Sequence, residues 1–435
     1  MVDLLCPFYA VFFSRYNGVV FMRQSQLFTK TRREAPKDEV AKNAQLLIRA
    51  GFINKEMAGV YSFLPLGLLV LNNICNVIRE EMGAIGASEL KMSALQSREL
   101  WEKTDRWSDK SVDNWFKTEL KGGGEVGLGF THEEPLTFLM REFVHSYRDL
   151  PVLAYQIQEK FRNEIRAKSG IIRGREFLMK DLYSFSRTDE EHHMLYEQAK
   201  SAYLKIFERV ELGEKTFVTF ASGGVFSKYS EEFQTLSDAG EDIIYVDEAK
   251  RIAVNKEVYT DEVLKDLGLQ KSDLVEKKAI ESGNIFNLGT RFSDPLDLTF
   301  TDEGGTKKPV IMGSYGLGPS RLMGTLAEVL SDEKGLVWPK AVAPFTIHLV
   351  ELSGGDEGVR KAADALYEKL TARQIAVLYD DRTASAGEKF ADAELIGIPY
   401  RVVVSAKTIA ASAVELTERK SGERRSVSEE ELLAL

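Results

Sequence analysis

The sequence predicts an α+β domain with an antiparallel sheet, followed by a C-terminal α/β domain. Three observations carry this prediction: a length of 435 residues, a strand–loop–strand pattern over 154–185, and an alternation of strands and helices beyond residue 344. A chain of this length has room for two or three domains with their own cores. We therefore place one domain at 22–343 and a second at 344–435, with 1–21 as an N-terminal extension.

The first 21 residues differ in composition from those that follow. They are apolar and aromatic but lack a basic start, and Arg15 interrupts them. Such a stretch is too short and too broken to cross a membrane, and it makes a weak secretory signal. A polar stretch begins at Met22 and favours a translation start there. We expect residues 1–21 to be a disordered tail or not to be translated.

Two helices are predicted before residue 100. Apolar residues recur at helical spacing over 37–50 and again over 68–82, and the segment 58–67 between them is extended. The second helix has one apolar face, which suits core packing or a subunit interface equally well.

The segment Phe130–Pro135 carries polar side chains just ahead of a predicted helix over 136–146. A threonine with a glutamate near the first turn commonly caps a helix. On the residues alone, capping is the favoured interpretation of Thr131 and Glu133.

The stretch 155–185 organises the predicted fold as two strands joined by a basic, glycine-containing loop. Odd-numbered residues of the second strand share a face, which puts Phe177 and Asp181 on one side. A carboxylate placed there needs a partner. Arg162 at the end of the first strand and Arg173 at the loop exit add positive charge. The hairpin therefore offers arginines to a polyanion, a ring to a base and a carboxylate to an amine.

Beyond the hairpin, the pattern is helix, linker, strand, helix. Residues 188–209 form a long polar helix, and residues 248–281 are charged and poor in large apolar residues, which indicates a small helical linker. A strand over 310–314 leads to Pro319, a residue suited to the first turn of a helix. Arg321 lies in that first turn, where the helix dipole does not stabilise a cation. It therefore suits an anionic or aromatic ligand, or a salt bridge to a nearby carboxylate.

Composition excludes several classes of function. The net charge of −10 argues against non-specific binding of nucleic acid over the whole surface. Two cysteines cannot form a disulfide framework, which fits a reducing cytoplasm. The five histidines and two cysteines show no metal-ligand spacing, so no protein-held metal site is expected. No Ser/His/Asp or Cys/His constellation is recognisable.

Taken together and in this order, the motifs from Met22 onward resemble those of class II aminoacyl-tRNA synthetases, specifically the prolyl-tRNA synthetases. The matching segments are GVYSFLPLG at 59–67 for the first class motif, FRNE at 161–164 with Arg173 and Phe177 for the second, GLGPSRL at 316–322 for the third, FTHEE at 130–134 for the proline-binding loop, and DDR with GEKFADAELIGIP at 380–399 for the anticodon-binding domain.

The resemblance implies a class II synthetase fold, with ATP and Mg²⁺ as cofactors and proline and tRNA(Pro) as substrates. It also implies a cytoplasmic homodimer without membrane attachment, whose dimer interface includes the first motif. The absence of a protein nucleophile is then expected, because the substrate carboxylate attacks the α-phosphate in line while arginines and Mg²⁺ neutralise charge.

The same resemblance implies a role for each matching residue. Arg162 grips the α-phosphate and the proline carboxylate, and Arg321 is the second catalytic arginine. The ATP-binding set is Arg162, Glu164, Arg173, Phe177, Glu281, Asn284 and Arg321, in which Phe177 and Arg321 sandwich the adenine. The proline-binding set is Thr131, Glu133, Arg162, Asp181, Tyr183 and Ser314. Anticodon contacts are expected at Arg382, Lys389 and Asp392, for which a solvated surface is almost as good an interpretation.

Other readings remain open at this point. One is a threonyl, glycyl or histidyl synthetase, since the C-terminal domain is shared among them. Another is an inactive synthetase-like protein that binds nucleic acid, although the three ATP arginines are all present. Many bacterial relatives carry a large editing domain where this chain has only 248–281. We therefore hypothesise that the enzyme also activates alanine and cannot clear it.

Overall fold

The structure is a computed structural model that describes residues 14–16, 19–165, 167, 169–223 and 229–435. The chain divides into two compact units, which are described separately. The first contains residues up to 54, 62–73 and 330–435, and the second contains 55–61 and 74–329. Among the described residues, no helix is long and apolar enough to span a membrane.

Most of the chain lies in short strands and helices. The α-helices are α1 (Lys42–Arg49), α2 (Pro65–Ala84), α3 (Arg98–Glu102), α4 (Glu133–Met140), α5 (Asp189–Arg209), α6 (Asp261–Asp266), α7 (Pro319–Val329), α8 (Glu357–Ala372), α9 (Ala386–Ile396), α10 (Ala406–Ala410) and α11 (Glu429–Leu432). Short 3-10 helices lie at Gln24–Gln26, Tyr147–Asp149, Gly170–Ile172, Gly213–Lys215, Lys256–Val258 and Lys271–Asp273. The strands are β1 (Ser14–Tyr16), β2 (Val19–Arg23), β3 (Ile53–Met57), β4 (Val60–Phe63), β5 (Ser88–Glu89), β6 (Leu95–Ser97), β7 (Lys117–Glu119), β8 (Glu125–Leu128), β9 (Val152–Phe161), β10 (Glu176–Ser186), β11 (Thr216–Ser222), β12 (Tyr229–Leu236), β13 (Asp242–Asp247), β14 (Ile252–Asn255), β15 (Val275–Gly289), β16 (Thr299–Thr301), β17 (Lys307–Pro309), β18 (Ile311–Leu317), β19 (Ile347–Leu352), β20 (Val377–Asp380), β21 (Tyr400–Ser405), β22 (Val414–Glu418) and β23 (Arg424–Val427).

The second unit is built on a nine-stranded, mostly antiparallel sheet in the order β12-β11-β14-β13-β15-β18-β10-β9-β5. The predicted hairpin is confirmed as β9 and β10, whose register pairs Asp181 with Gln156. On its other side β10 pairs with β18, where Asp181 faces Gly316 and Tyr183 faces Ser314. Strand β10, which carries Phe177, Asp181 and Tyr183, therefore lies beside β18, which carries Ser314.

The predicted helices of this unit are also present. The polar helix over 188–209 is α5, and α7 begins at Pro319 as expected. The apolar face of α2 is buried within the chain, since Ile74, Ile78 and Met82 are fully covered. Of the two interpretations of that face, core packing is confirmed.

The expectation of a helical linker over 248–281 is wrong. The segment contributes β14, which pairs with β11 and β13, and it includes the first residues of β15. Val254, Val263, Leu264 and Leu269 form a small buried cluster there. These few apolar residues suffice because they pack against one another, and a count of large apolar residues in the sequence does not show that.

The first unit is an α/β domain, as predicted, with a seven-stranded sheet in the order β1-β2-β20-β19-β21-β22-β23. The strands β2, β20, β19 and β21 run parallel, and β22 and β23 close one edge antiparallel. Its core is aliphatic, with Ile347, Leu349, Leu366 and Val402 buried among others.

The N-terminal boundary needs correction. Strand β2 adds to the free edge of β20, and Phe21 and Met22 are buried, so a disordered tail does not extend to residue 21. Arg23 pairs with Asp364 at 2.8 Å. The apolar Val19–Phe21 run suits a sheet edge, and the residues up to 54 consequently belong with the C-terminal domain. Residues 1–13, 17 and 18 lie outside the described residues, and a translation start at Met22 stays a prediction.

Candidate active site

A cavity of about 390 Å³ opens on the face of the nine-stranded sheet where β10, β15 and β18 run side by side. This volume lies within the range of small-molecule sites. The sequence-predicted residues that line it are Thr131, Glu133, Arg162, Phe177, Asp181, Glu281, Asn284, Ser314 and Arg321. The structure thus brings together nine of the expected residues from five separate segments of the chain.

One end of the cavity is acidic and is organised around Glu133. Its carboxylate accepts hydrogen bonds from the hydroxyls of Thr131 at 2.6 Å and Ser314 at 3.1 Å, and the side chain is buried. Behind it the guanidinium of Arg106 lies 3.5 Å from Glu133 and 2.8 Å from Glu134. Burial raises the pKa of Glu134, and the positive charge of Arg106 offsets only part of that rise. A carboxylate held in this way faces the cavity as a fixed hydrogen-bond acceptor.

The capping interpretation of this loop is not what the structure shows. The residue that caps α4 is His132, and no side chain provides the capping hydrogen bond. The Thr131 hydroxyl instead donates to Glu133. Both side chains therefore serve the cavity wall.

The second carboxylate of this end, Asp181, is held by three polar partners. Lys160 Nζ lies 2.9 Å from one carboxylate oxygen, and Gln156 and the Tyr183 hydroxyl donate to the other at 3.0 Å each. Burial by itself would raise the pKa of Asp181, but the charge of Lys160, with the hydrogen bonds from Lys160 and Gln156, holds it below its usual range. Asp181 therefore remains ionised at the cavity surface.

A buried histidine completes this support. Burial and the charge of Lys160 lower the pKa of His132 to about 4, so the ring is neutral. Its Nε2 lies 3.0 Å from the Ser93 carbonyl oxygen, and its Nδ1 lies 2.7 Å from Lys160 Nζ. The only consistent assignment is that Nε2 donates to the carbonyl and Nδ1 accepts from the ammonium. His132 therefore orients Lys160 toward Asp181.

A glycine keeps the floor of the cavity open between the two carboxylates. Gly316 lies on β18 on the same face as Ser314 and lines the cavity. A Cβ at Gly316 would come no closer than 3.9 Å to its protein neighbours, so the chain itself has room for one. A side chain there would occupy ligand space.

The other end of the cavity is aromatic and cationic. The Arg162 guanidinium lies 4.9 Å from the ring centre of Phe130 and 5.3 Å from that of Phe177. Its Nε is buried and makes no hydrogen bond within the described residues. Burial and the nearby charge of Arg321 lower the pKa of Arg162. A guanidinium whose Nε has no acceptor among the described residues is poised for an anionic ligand.

Phe130 is kept in place by a cluster of tryptophans. Trp101, Trp107 and Trp115 are buried with Phe130, and the Trp115 ring centre lies 6.2 Å from that of Phe130. The tryptophans therefore form a buried cluster behind Phe130, and Phe130 itself lines the cavity.

Arg321 is anchored at the opposite wall. Its Nε donates to the Ile172 carbonyl at 2.9 Å, and its NH1 lies 2.6 Å from the Glu281 carbonyl and 3.1 Å from the Glu281 carboxylate. Asn284 in turn donates to Glu281 at 3.1 Å. The salt bridge allowed by the sequence is present, and Arg321 still lines the cavity.

A hydrogen-bonded group of polar residues lies behind Glu281. Glu232 accepts from Gln234 at 2.8 Å, from Asn284 at 3.3 Å and from Asn255 at 3.3 Å. Burial and the charge of Glu281 raise the pKa of Glu232 to about 8. This carboxyl is therefore protonated at neutral pH, and it supports the residues that face the cavity.

Three predicted residues do not line this cavity. Glu164 and Arg173 pair with each other at 3.1 Å, and Arg173 also binds Glu241 at 2.9 Å. Arg173 borders a smaller adjoining depression that shares Glu281 and Arg321 with the cavity. Tyr183 is fully buried behind Asp181, and its hydroxyl oxygen accepts a hydrogen bond from the backbone N–H of His132. Tyr183 thus braces Asp181 and does not form the cavity wall.

The expected anticodon residues lie in the other unit and form an internal network. Arg382 binds Asp380 and Asp392 at 2.8 Å each, and Lys389 donates to the carbonyls of Glu351 and Asp380. Lys389 and Asp392 are buried. Neither the expected base contact nor the alternative of a solvated surface describes these two side chains.

Sequence reasoning missed Arg106, Gln156, His132 and Lys160. The signal for two of them was present, because Gln156, Gln158 and Lys160 alternate along β9 on the face that carries Asp181 in β10. Nothing in the sequence placed Arg106 near Glu133, since the two come together only through tertiary packing.

Two family models match the chain. The model described as "tRNA synthetase class II core domain (G, H, P, S and T)" matches residues 116–330, and the one described as "Anticodon binding domain" matches 341–435. Among the solved structures, prolyl-tRNA synthetase of Giardia lamblia in complex with prolyl-adenylate has a TM-score of 0.75 at 20% identity, over 89% of this chain and 74% of that one. This likeness confirms the predicted fold class.

Curated relatives are similar over nearly the whole length. A proline–tRNA ligase of Brucella anthropi is 36% identical over 95% of this chain and 99% of its own. Those of Methylobacterium sp. and Caulobacter vibrioides are 38% and 37% identical, each over 95% of this chain and 98% of their own.

Proposed function

Since the chain belongs to the proline–tRNA ligase family of class II synthetases, we propose that proline and ATP react in the cavity lined by Glu133, Asp181, Arg162 and Arg321. The chain is an ATP-dependent ligase that forms prolyl-adenylate and passes the prolyl group to the 3′ end of tRNA. The observation that carries the site proposal is that two carboxylates and two guanidinium groups line one cavity.

The acidic end suits the secondary amine of proline. A protonated imino acid has two N–H donors, and the side chains of Glu133 and Asp181 are acceptors fixed by their own partners. Lys160, Arg106 and His132 stabilise these carboxylates without entering the cavity. Fixed acceptors orient the amine so that the proline carboxylate points toward Arg162.

The cationic end suits the nucleotide. Phe177 offers a flat face and Arg321 a planar cation to the same cavity, and we infer that an aromatic base binds between them. Arg162, whose Nε has no protein acceptor among the described residues, binds the α-phosphate and the proline carboxylate. Arg173 in the adjoining depression exchanges its pairing with Glu164 and Glu241 for the outer phosphates.

The reaction itself requires no protein nucleophile. A carboxylate oxygen of proline forms a bond to the α-phosphorus, the bond from that phosphorus to the bridging oxygen breaks, and pyrophosphate leaves with that oxygen. Negative charge accumulates on the equatorial oxygens of the phosphorus, next to Arg162. The protein contributes alignment of the two reactants and neutralisation of this charge.

A magnesium ion fits beside Glu281. Mg²⁺ is usually held by one or two carboxylates together with substrate phosphates, and Glu281 presents a half-exposed carboxylate at the cavity edge. No group of three His, Cys, Asp or Glu residues suited to a metal ion is found among the described residues. Glu281 would therefore hold the ion jointly with ATP, with Asn284 orienting its carboxylate, and the ion would neutralise phosphate charge.

The assembly and the location are further proposals. We expect a homodimer, which the exposed apolar side chains Phe138, Leu139 and Phe143 support because such groups commonly mark interfaces. Sedimentation equilibrium of the full chain tests this. We expect the protein in the cytoplasm, where tRNA and ATP are available to it.

Proline-dependent ATP–pyrophosphate exchange tests the proposed site. The wild type is expected to exchange with proline, and Arg162→Ala is expected to lower the rate by roughly 100-fold or more, as loss of a donor to developing charge commonly does. Arg148→Ala, which changes an exposed arginine, is the matched control. Equal rates in wild type and Arg162→Ala would rule out the assignment of Arg162.

A further inference from the structure

A second concave surface lies in the first unit, remote in sequence from the catalytic motifs. It encloses about 640 Å³ between the segment after β2, the end of α1 and one side of α9. We call it the basic groove; its lining residues that carry the argument are Arg32, Arg33, Arg49, Lys334, Glu388 and Glu394.

The charges in the basic groove do not cancel. Glu394 is paired with Lys334 at 3.4 Å and with Arg401 at 3.1 Å, so its charge is neutralised locally. The carboxylate of Asp392, also in the lining, is paired with Arg382. Of the acidic residues that line the groove, only Glu388 is then left to balance Arg32, Arg33 and Arg49. The groove therefore has an excess of positive charge.

The three arginines have no carboxylate of their own. Within the described residues, no carboxylate lies at ion-pair distance from Arg32, Arg33 or Arg49, and the Nε of Arg49 is buried without a hydrogen bond. Arg32 and Arg33 are exposed. Guanidinium groups that the protein itself leaves unpaired are suited to an external anion.

The backbone that carries these arginines is held in place. The Thr31 hydroxyl donates to Asp392 at 2.6 Å, and the Arg32 amide donates to the Arg49 carbonyl at 2.7 Å. The first of these hydrogen bonds ties the segment to α9 and the second ties it to the end of α1. The arginines therefore project from a fixed edge and lose little entropy when an anion binds.

We propose that the basic groove binds the phosphodiester backbone of tRNA, with Arg32 and Arg33 binding phosphates directly. The inference rests on the proposed function, since it assumes that tRNA is a substrate, and it adds a binding surface supplied by the N-terminal segment. The unit that contains the groove also contains the region matched by the anticodon-binding model. On a chain of net charge −10, phosphate affinity has to come from such local surfaces.

The salt dependence of tRNA binding provides the test. Each bound phosphate releases counterions, so the slope of log K against log salt becomes shallower by roughly 0.7 to 0.9 for every phosphate that the protein no longer binds. Arg32→Gln/Arg33→Gln in the full chain is expected to flatten the slope by roughly 1.4 to 1.8 and to weaken binding of tRNA(Pro) about 10-fold at low salt. Arg32→Lys/Arg33→Lys is expected to keep most of the slope, because the charge is retained.

The matched control is Arg373→Gln/Arg425→Gln, which removes two exposed arginines of the same unit outside the groove. It is expected to leave the slope within about 0.3 of the wild type. An unchanged slope in the Arg32→Gln/Arg33→Gln variant would overturn the proposal.

Failure of this inference is distinguishable from failure of the proposed function. If the wild type supports no proline-dependent exchange, the proposed function fails. If the wild type supports exchange and charges tRNA while the slope is insensitive to Arg32 and Arg33, only the basic groove is excluded. The midpoint of thermal unfolding of each variant checks that the first unit remains folded.

Discussion

The Nζ of Lys160 lies 2.9 Å from the Oδ1 of Asp181, and both side chains are buried beneath the proposed proline site. Such a pair costs desolvation energy that its attraction only partly offsets, but removal of one partner strands the other charge. The pair therefore makes the ionised state of Asp181 depend on a lysine that touches no substrate.

Lys160→Met tests this dependence. We expect the free energy of unfolding to fall by about 3 kcal/mol, because the Asp181 carboxylate loses its buried cation. Urea unfolding measures the change, and Lys91→Met at an exposed lysine is the control. Lys160→Met/Asp181→Asn is expected to regain part of the loss, since no charge is then stranded. Equal unfolding midpoints for wild type and Lys160→Met would contradict this account.

Glu133→Gln separates proline binding from nucleotide binding. The amide keeps the size of the side chain but has no negative charge for the proline ammonium, and a hydrogen bond to a charged group is worth about 1.5–3 kcal/mol. We expect KM for proline to rise roughly 10- to 100-fold while KM for ATP stays within about twofold. Exchange kinetics with each substrate varied measure both constants. Glu142→Gln at an exposed position is the control, and a rise in KM for ATP of equal size would show a general loss of structure.

Glu232 gives a pH dependence whose sign is fixed by its environment. Its folded-state pKa of about 8 lies above the usual 4.5, so the folded chain keeps a proton that the unfolded chain releases. The stability that this group contributes is complete below about pH 4.5 and is lost as the pH rises toward 8. We expect Glu232→Gln to remove this loss.

Thermal unfolding between pH 5 and pH 8.5 checks the expectation. The melting temperature of Glu232→Gln should rise relative to the wild type as the pH increases across this window. Glu262→Gln, at an exposed glutamate in the same unit, should run parallel to the wild type. A difference between Glu232→Gln and the wild type that is constant with pH would mean that Glu232 is ionised throughout.

Alanine is expected to enter the proline site. Alanine lacks two of the ring carbons of proline, and each missing methylene lets a site reject a substrate by only about 1–3 kcal/mol. Met179 and Phe286 supply apolar wall that alanine would leave unfilled. We expect measurable alanine-dependent exchange at a kcat/KM well below that for proline. The segment 248–281 forms strand, short helix and a small core in this chain, so no large domain is inserted there to hydrolyse the product.

Addition of alanyl-tRNA(Pro) tests the hypothesis that the enzyme cannot hydrolyse the mischarged product. We expect its half-life to be the same with and without the enzyme. Deacylation that accelerates in proportion to enzyme concentration would show that the chain clears alanine by itself.

The hairpin shows how much of the site the sequence could predict. Period-two alternation placed Phe177 and Asp181 on one face, and the structure has both at the cavity. The same rule placed Tyr183 on that face, but alternation does not show how deeply each residue of the face is buried. The backbone of His132 covers the Tyr183 hydroxyl, so Tyr183 supports Asp181 and does not line the cavity.

The charged residues were the hardest to place. Glu164 and Arg173 match their motif, yet in this structure they pair with each other outside the cavity. Lys389 and Asp392 looked like surface residues because lysine and aspartate are seldom buried alone. They are buried here because Arg382 and backbone carbonyls satisfy them.

The sequence by itself determined the fold class, the strands of the hairpin and the residue types that meet ATP and proline. Local periodicity and short motifs carry that information, because each depends on neighbours within a few positions of the chain. Only the tertiary structure decided which charges are paired. Arg106 with Glu133 and the attachment of β2 to β20 join segments that are not neighbours in the chain, and the pairing of Lys160 with Asp181 depends on the register of the hairpin. The energy of a buried charge depends on those distant partners and on its exclusion from water, and neither is written in the local pattern.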